Sequence, residues 1–207
     1  MNSRKTVSLI MAILLCAVSL FSCAESKYVK VSDMSLEELE ECVELGDYKG
    51  LELVLHSTGK EAALLLYLDE NSCVKHYPDG TVSYYVEQLK KQYRYYAEQA
   101  DIRYEAMLDE LGEDNITMNA EAKRLVKNDL VFELIRKKEG IILTEEEKTA
   151  FFDKYVKKYA ESYKYSEEYV RKELSELVYD SMLYDKTVEF LIINNSFTES
   201  DTAQSEQ

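Results

Sequence analysis

The side chains best suited to chemistry are few in this chain and are not spaced for it. The histidines, His56 and His76, are 20 residues apart, which is not a metal-ligand spacing, and no serine, threonine or cysteine has a histidine placed as its base. Acidic pairs such as Glu37 and Glu38 fall at predicted helix starts, where negative charge stabilises the helix dipole. We therefore expect no enzyme, no catalytic residue, no metal site and no cofactor.

The chain has four cysteines. Cys16 lies within an apolar leader and Cys23 follows that leader, so Cys42 and Cys73 are left for the folded part of the protein. In an oxidising compartment these two either form a disulfide or remain buried thiols. No spacing motif decides between the two alternatives.

Residues 1–22 have the pattern of a secretory signal. Two basic residues precede an apolar run from Val7 to Phe21, which is short for a membrane span. The run ends in LFSC, which resembles the lipobox of bacterial lipoproteins, and this resemblance implies cleavage after Ser22 and lipidation of Cys23. The alternatives are an uncut anchor or a signal peptide that is cut elsewhere. Each alternative predicts an extracytoplasmic protein.

The remainder of the chain is strongly acidic. The whole chain has 40 acidic and 25 basic residues, a formal net charge of −15, so we do not expect nucleic acid as a partner. Loss of residues 1–22 removes two of these basic residues. The remaining surface is so acidic that anionic lipid does not attract it. We expect the membrane to hold the protein through acyl chains on Cys23, with residues 23–34 as a tether.

The composition favours long helices, because 207 residues include only 6 glycines and 1 proline. Capping boxes are predicted at Ser35, Thr58 and Thr144, each with a glutamate three residues later. The predicted helices run from Ser35 to about Leu45, Lys60 to about Asn71, Thr81 to about Ala100, Tyr104 to just before Gly112, Asn119 to Glu139, Thr144 to about Ser162, and Ser166 to about Asn194. In the helix that ends before Gly140, six residues are predicted to face inward: Ala122, Leu125, Val126, Leu130, Leu134 and Ile135.

Two segments are not predicted to be helical. The apolar run Leu51–Leu55 is either a short strand or an extended connector, because its length does not decide between them. Residues 198–207 are polar, and we expect a disordered tail there.

Aromatic residues are the most plausible binding groups. The chain has 17 tyrosines and no tryptophan, and its rings are concentrated on the helices that begin at Thr81 and Thr144. One buried stripe cannot accommodate them all, so we expect some to be exposed and to bind apolar peptide segments. The alternative is that the tyrosines pack helix pairs with their hydroxyl groups at the rim. The residues proposed for peptide binding are Tyr84, Tyr95, Phe152, Tyr155 and Tyr159.

The order of the motifs resembles the bacterial trigger factor family. The sequence ECVELGDYKGLEL, Glu41–Leu53, is similar to an LGDYKGLEV stretch of that family. Ala122–Glu147 is similar to its pattern of a helix ending in KKEGI before a glutamate-rich helix start, and Val188–Phe197 resembles its closing helix. The resemblance implies an all-α fold with one short extended segment: the elongated helical chaperone body of the trigger factor C-terminal type, related to SurA-type and PrsA-type foldases.

The chain also departs from the family pattern. It has no GFRxGKxP ribosome-docking loop, and the few residues between Leu55 and Lys60 leave no room for a prolyl isomerase domain. We therefore expect a helical domain at residues 35–197 without ribosome binding or isomerase activity. The expected function is that of a membrane-tethered, ATP-independent chaperone for unfolded or nascent secreted polypeptides. The alternative is a structural or adhesion lipoprotein that binds one defined partner.

Overall fold

The structure is a computed structural model that describes residues 28–55, 59–163 and 165–199. The predicted signal peptide, the lipidation site at Cys23, His56, Thr58 and residues 200–207 lie outside the described residues. The predictions for those positions are therefore unchanged by the structure.

Helices dominate the described residues, and the predicted all-α fold is confirmed. A 3₁₀ turn at Val31–Asp33 precedes the first α-helix. The α-helices are α1 (Leu36–Cys42), α2 (Lys60–Asn71), α3 (Thr81–Gln99), α4 (Tyr104–Leu111), α5 (Asn115–Glu139), α6 (Glu145–Tyr163), α7 (Glu167–Glu173) and α8 (Ser175–Ile193).

Among the described residues, four short strands form two pairs, where the sequence predicts one extended segment. Strand β1 (Val43–Glu44) pairs antiparallel with β3 (Cys73–Val74). Strand β2 (Glu52–Leu55) pairs parallel with β4 (Ser196–Glu199). The prediction of a disordered tail from Thr198 is therefore wrong at its first two residues, because backbone pairing with a strand far away in the sequence fixes them.

Local side chains cap several helix starts. Ser35 Oγ accepts a hydrogen bond from the Glu38 amide at 3.2 Å, while the Glu38 carboxylate accepts one from the Ser35 amide at 2.7 Å. The same reciprocal pair forms at Thr144, and Ser166 Oγ accepts from the Tyr169 amide at the start of α7. Gly140 ends α5 in the left-handed conformation at φ 64°. These four predicted signals are confirmed.

Three predicted boundaries are wrong. Helix α1 ends at Cys42, three residues before the predicted Leu45, because Val43 and Glu44 pair with β3 as strand β1. Helix α5 begins four residues before the predicted Asn119, because Asp114 accepts hydrogen bonds from the amides of residues 116 and 117. The last predicted helix is interrupted at Leu174, which leaves helical geometry at φ −120° and ψ 14° and separates α7 from α8.

The described chain divides into two compact units. The first unit comprises Glu87–Leu111 and Ile142–Tyr184. Its core lies where α6, α7 and the start of α8 pack together, and its buried members are Val156, Tyr159, Ala160, Val170, Leu174, Leu177, Val178 and Met182.

The second unit comprises residues 28–86, 112–141 and 185–199. Helix α5 is its centre and packs against α1, α2, β1 and the 3₁₀ turn. The six residues of α5 that the sequence predicts to face inward are all buried, which confirms that prediction. The burial of an apolar face of α5 on several elements accounts for its regularity over 25 residues.

Candidate functional site

The segment that resembles the trigger factor motif is held in place by polar contacts in the second unit. The Tyr48 hydroxyl donates to the Glu139 carboxylate at 2.6 Å, and the Lys49 ammonium donates to the same oxygen at 2.6 Å. The Asn195 side chain donates to the Tyr48 carbonyl at 3.0 Å and accepts from the Leu51 amide at 2.9 Å. These contacts attach the loop between β1 and β2 to the ends of α5 and α8. The residues of the motif therefore have a structural role.

The ionisable groups at this contact shift the pKa values of one another. Hydrogen bonds from Lys49 and Tyr48 lower the pKa of Glu139, because both favour its charged form. Burial, together with the hydrogen bond to Glu139, raises the pKa of Tyr48 to about 12. The charges of Lys49 and Glu139 therefore pair with each other within the fold.

The two cysteines of the folded part are free thiols, which excludes a disulfide between them in this structure. Cys42 is buried and its Sγ lies 3.3 Å from Nε2 of His76, whereas Cys73 is exposed. Burial raises the pKa of the Cys42 thiol, which disfavours the nucleophilic thiolate. The Cys42–His76 pair is thus a packing contact within the second unit.

Aromatic rings of the first unit form two sets. In the first set, Phe152 packs against Tyr179 with ring centroids 5.1 Å apart, and the Arg171 guanidinium lies 5.8 Å from the Phe152 centroid. The Lys148 ammonium lies 5.8 Å from the Tyr179 centroid. Each of these two rings therefore has a cation beside it.

The second set joins α3 to the segment that leads into α7. Tyr95 and Tyr96 meet edge to face at 5.8 Å, and Tyr165 and Tyr169 lie 5.0 Å apart. Burial raises the pKa of Tyr165, and the neighbouring Tyr95 raises it further. Tyr95 is 43% exposed and Tyr169 is exposed as well, so this set presents rings with polar hydroxyl groups to solvent.

The five proposed peptide-binding residues belong to different units and differ in exposure. Tyr84 belongs to the second unit, where its ring stacks on Tyr28 at 3.8 Å. Tyr95 is exposed, and Phe152 and Tyr155 are partly buried. Tyr159 is 6% exposed, so its prediction as an exposed ring is wrong: its hydroxyl is hydrogen-bonded to Ser181 and its ring fills the core.

Two exposed rings are missing from the proposed set. Phe151 is 48% exposed, although it is adjacent to the inward-facing Phe152. Tyr169 follows the Ser166 cap by three residues, in the first turn of α7. The sequence signal for both is helical phase relative to the buried residues Val156 and Val170.

Among the residues that the structure describes, no three His, Cys, Asp or Glu side chains are grouped closely enough to hold a metal ion. Over the same described ranges, no helix is both long and apolar enough to cross a membrane.

The fold and its surface define an all-α protein with aromatic rings exposed on its helices. A family described as bacterial trigger factor protein (TF) C-terminus matches residues 56–193, and the chain belongs to this family. Over 128 residues the chain is 36% identical to a trigger factor from Carboxydothermus hydrogenoformans, an alignment that covers 59% of this chain and 28% of that relative. The resemblance to trigger factors is confirmed, whereas the relation to SurA-type and PrsA-type foldases remains a prediction.

Proposed function

We propose that this protein is an ATP-independent chaperone that binds unfolded or nascent secreted polypeptides without catalysing a reaction. The observation that supports this function best is the set of solvent-facing rings on the first unit, of which Tyr95, Phe151 and Tyr169 are the most exposed. Membership of the trigger factor C-terminal family supports the same function.

The proposed client binding depends on several weak contacts with exposed aromatic rings. Covering a half-exposed tyrosine or phenylalanine with an apolar side chain lowers the free energy of the complex. When no client is bound, the tyrosine hydroxyl keeps the surface hydrated. Several such rings jointly bind one unfolded segment, and no single contact is strong enough to prevent its release. Release from such a surface does not need ATP.

The chain acts outside the cytoplasm and is tethered to the membrane through acyl chains on Cys23. This part of the proposal depends on the basic and apolar leader and on the LFSC sequence that ends it. The proposed clients are accordingly secreted polypeptides, and neither ribosome docking nor prolyl isomerase activity is part of the function.

An aggregation assay tests the chaperone function directly. The purified chain from residue 24 onward keeps every residue that the structure describes, and it should slow light scattering by a chemically denatured enzyme in the absence of ATP. The triple variant Tyr95→Ser, Phe151→Ser and Tyr169→Ser should lose most of this protection, because it removes exposed apolar area from the first unit.

The matched control removes exposed apolar residues from the second unit instead. Ile116 and Ile193 are 78% and 73% exposed, and their double replacement by serine should leave protection unchanged. Circular dichroism should show the same helix content in all variants. Undiminished protection by the folded triple variant would show that these rings are not the binding surface, and a wild-type chain without protection at any concentration would favour one defined partner.

A further inference from the structure

One outward face of α6 combines aromatic rings with lysines. Phe151, Lys154, Tyr155 and Lys158 follow one another at spacings of three, one and three residues, which places them on the same side of a helix. Phe151, Lys154 and Lys158 are exposed and Tyr155 is partly buried. We call these four residues the α6 stripe. Val156, on the other face of the helix, is fully buried in the core of the first unit.

The α6 stripe is basic in a protein that is strongly acidic. Between residues 149 and 161 there are three lysines and two acidic residues, Asp153 and Glu161, whereas the chain as a whole has a net charge of −15. Asp153 is already paired, because the Arg171 guanidinium lies 2.6 Å from its carboxylate. Within the described part of the chain, Lys154 forms no ion pair, whereas Lys158 already has contacts within the chain.

Cations lie beside aromatic rings at several places in the first unit, one of them within the α6 stripe. The Lys158 ammonium lies 5.4 Å from the Tyr155 ring centroid within the stripe, and the Arg94 guanidinium lies 5.1 Å from that of Tyr104. The same arrangement holds Lys148 over Tyr179. An apolar side chain of a partner can contact such a ring while an adjacent carboxylate contacts the cation.

We infer that the α6 stripe binds segments of unfolded clients in which acidic residues stand next to apolar ones. This inference rests on the proposed chaperone function and specifies its substrate class. Phe151 and Tyr155 supply the apolar contact, and Lys154 and Lys158 supply the charge that is complementary to client carboxylates. An anionic lipid surface fits less well, because the net charge of the chain opposes its approach.

Peptide binding by the full-length chain tests the inference. The chain is inserted into nanodiscs of neutral phosphatidylcholine, and fluorescence anisotropy measures its affinity for three labelled peptides. The peptides share the same apolar residues and differ only in whether their polar positions are Glu, Gln or Lys. The Glu peptide should bind most tightly and the Lys peptide least tightly, and added salt should reduce the difference.

Charge variants identify the surface that is responsible. The double variant Lys154→Gln, Lys158→Gln should lower affinity for the Glu peptide by about three- to tenfold and leave the affinity for the Gln peptide nearly unchanged. Replacement of the same two residues by arginine should preserve binding. The control Lys30→Gln, Lys172→Gln removes the same charge from exposed positions outside the stripe and should have no effect.

Several results would overturn the inference. These are equal affinity for the three peptides, an equal loss in the control variant, a loss confined to binding of phosphatidylserine vesicles, and a chain dimer that only the stripe variant disrupts. If the wild-type chain slows aggregation yet shows no preference for the Glu peptide, the inference fails and the proposed function stands. If it neither binds a peptide nor slows aggregation, both fail.

Discussion

At the scale of single residues, the direction in which a ring points matters more than its type. Phe151 and Phe152 are adjacent on α6, and the helix turns about 100° between them. Phe151 is therefore half exposed, whereas Phe152 packs against Tyr179. The first is available to a partner and the second stabilises the unit.

Tyr159 provides a test of this distinction. The variant Tyr159→Ser should lower the free energy of unfolding by about 3 to 5 kcal/mol, because it removes a buried ring from the core of the first unit. Tyr159→Phe removes only the hydroxyl and should cost about 1 kcal/mol, since Ser181 keeps its hydrogen bond to the Leu177 carbonyl. Urea unfolding measures both changes. A Tyr159→Ser variant with the wild-type midpoint would contradict the assignment of this ring to the core.

A glycine in the second unit gives a second prediction. A Cβ atom on Gly46 would lie 2.2 Å from the carbonyl oxygen of Asn71, so Gly46→Ala requires the backbone to shift and should cost about 1 to 3 kcal/mol. Gly59→Ala is the control, because no atom lies within 4 Å of its added Cβ. It should change the unfolding free energy by less than about 1 kcal/mol. Equal thermal midpoints for the two variants would show that the contact at Gly46 is relaxed in solution.

At the scale of elements, helix ends hold the loop between β1 and β2. The end of α5 contributes Glu139, which contacts Tyr48 and Lys49, and the residues after α8 contribute Asn195. The loop itself has no regular secondary structure. Its conformation therefore depends on these polar contacts.

The contact at Glu139 predicts a dependence on pH. Its pKa is lowered in the folded state, so its stabilisation is complete above the unfolded pKa of 4.5 and is lost as the pH falls through the lower folded value. At pH 7, Glu139→Gln should reduce the free energy of unfolding by about 1 kcal/mol, and the difference from wild type should shrink towards zero in acid.

Urea titrations at several pH values measure this difference. The exposed Glu189→Gln is the control in the same unit and should match wild type at pH 7. In alkali the raised pKa of Tyr48 acts with the opposite sign, because stabilisation by the neutral phenol is present below pH 10 and is lost as the pH rises to about 12. A difference for Glu139→Gln that stayed constant into acid would contradict the ion pair.

At the scale of the whole molecule, the proposed membrane tether depends on Cys23. In bacteria that express the full chain, labelled palmitate should enter the wild type and not Cys23→Ala, because the acylated thiol is absent from that variant. Cys73→Ala, which removes an exposed free thiol from the folded part, should be labelled like wild type. Equal labelling of the wild type and Cys23→Ala would exclude lipidation at this cysteine.

Local interactions explain how much of the fold the sequence predicts. Ser35, Thr144 and Ser166 cap their helices through partners three residues away, so the signal and its structural effect lie in the same short segment. The six inward residues of α5 are predicted for the same reason, because helical periodicity is written into the sequence. Asp114 has the equivalent local signal, but its partner is Thr117 rather than the glutamate of a standard capping box.

Patterns in the sequence predict the helical fold, most helix ends and the resemblance to trigger factors. The pairing of Ser196–Glu199 with Glu52–Leu55 is apparent only in the folded chain, because the partners are far apart in the sequence. The tertiary structure also decides which rings are exposed: Tyr159 and Phe151 lie on the same helix, and their surroundings differ because residues beyond that helix bury only the former. Helical phase separates the two rings onto different faces of the helix, but which face is buried depends on the residues that pack against it.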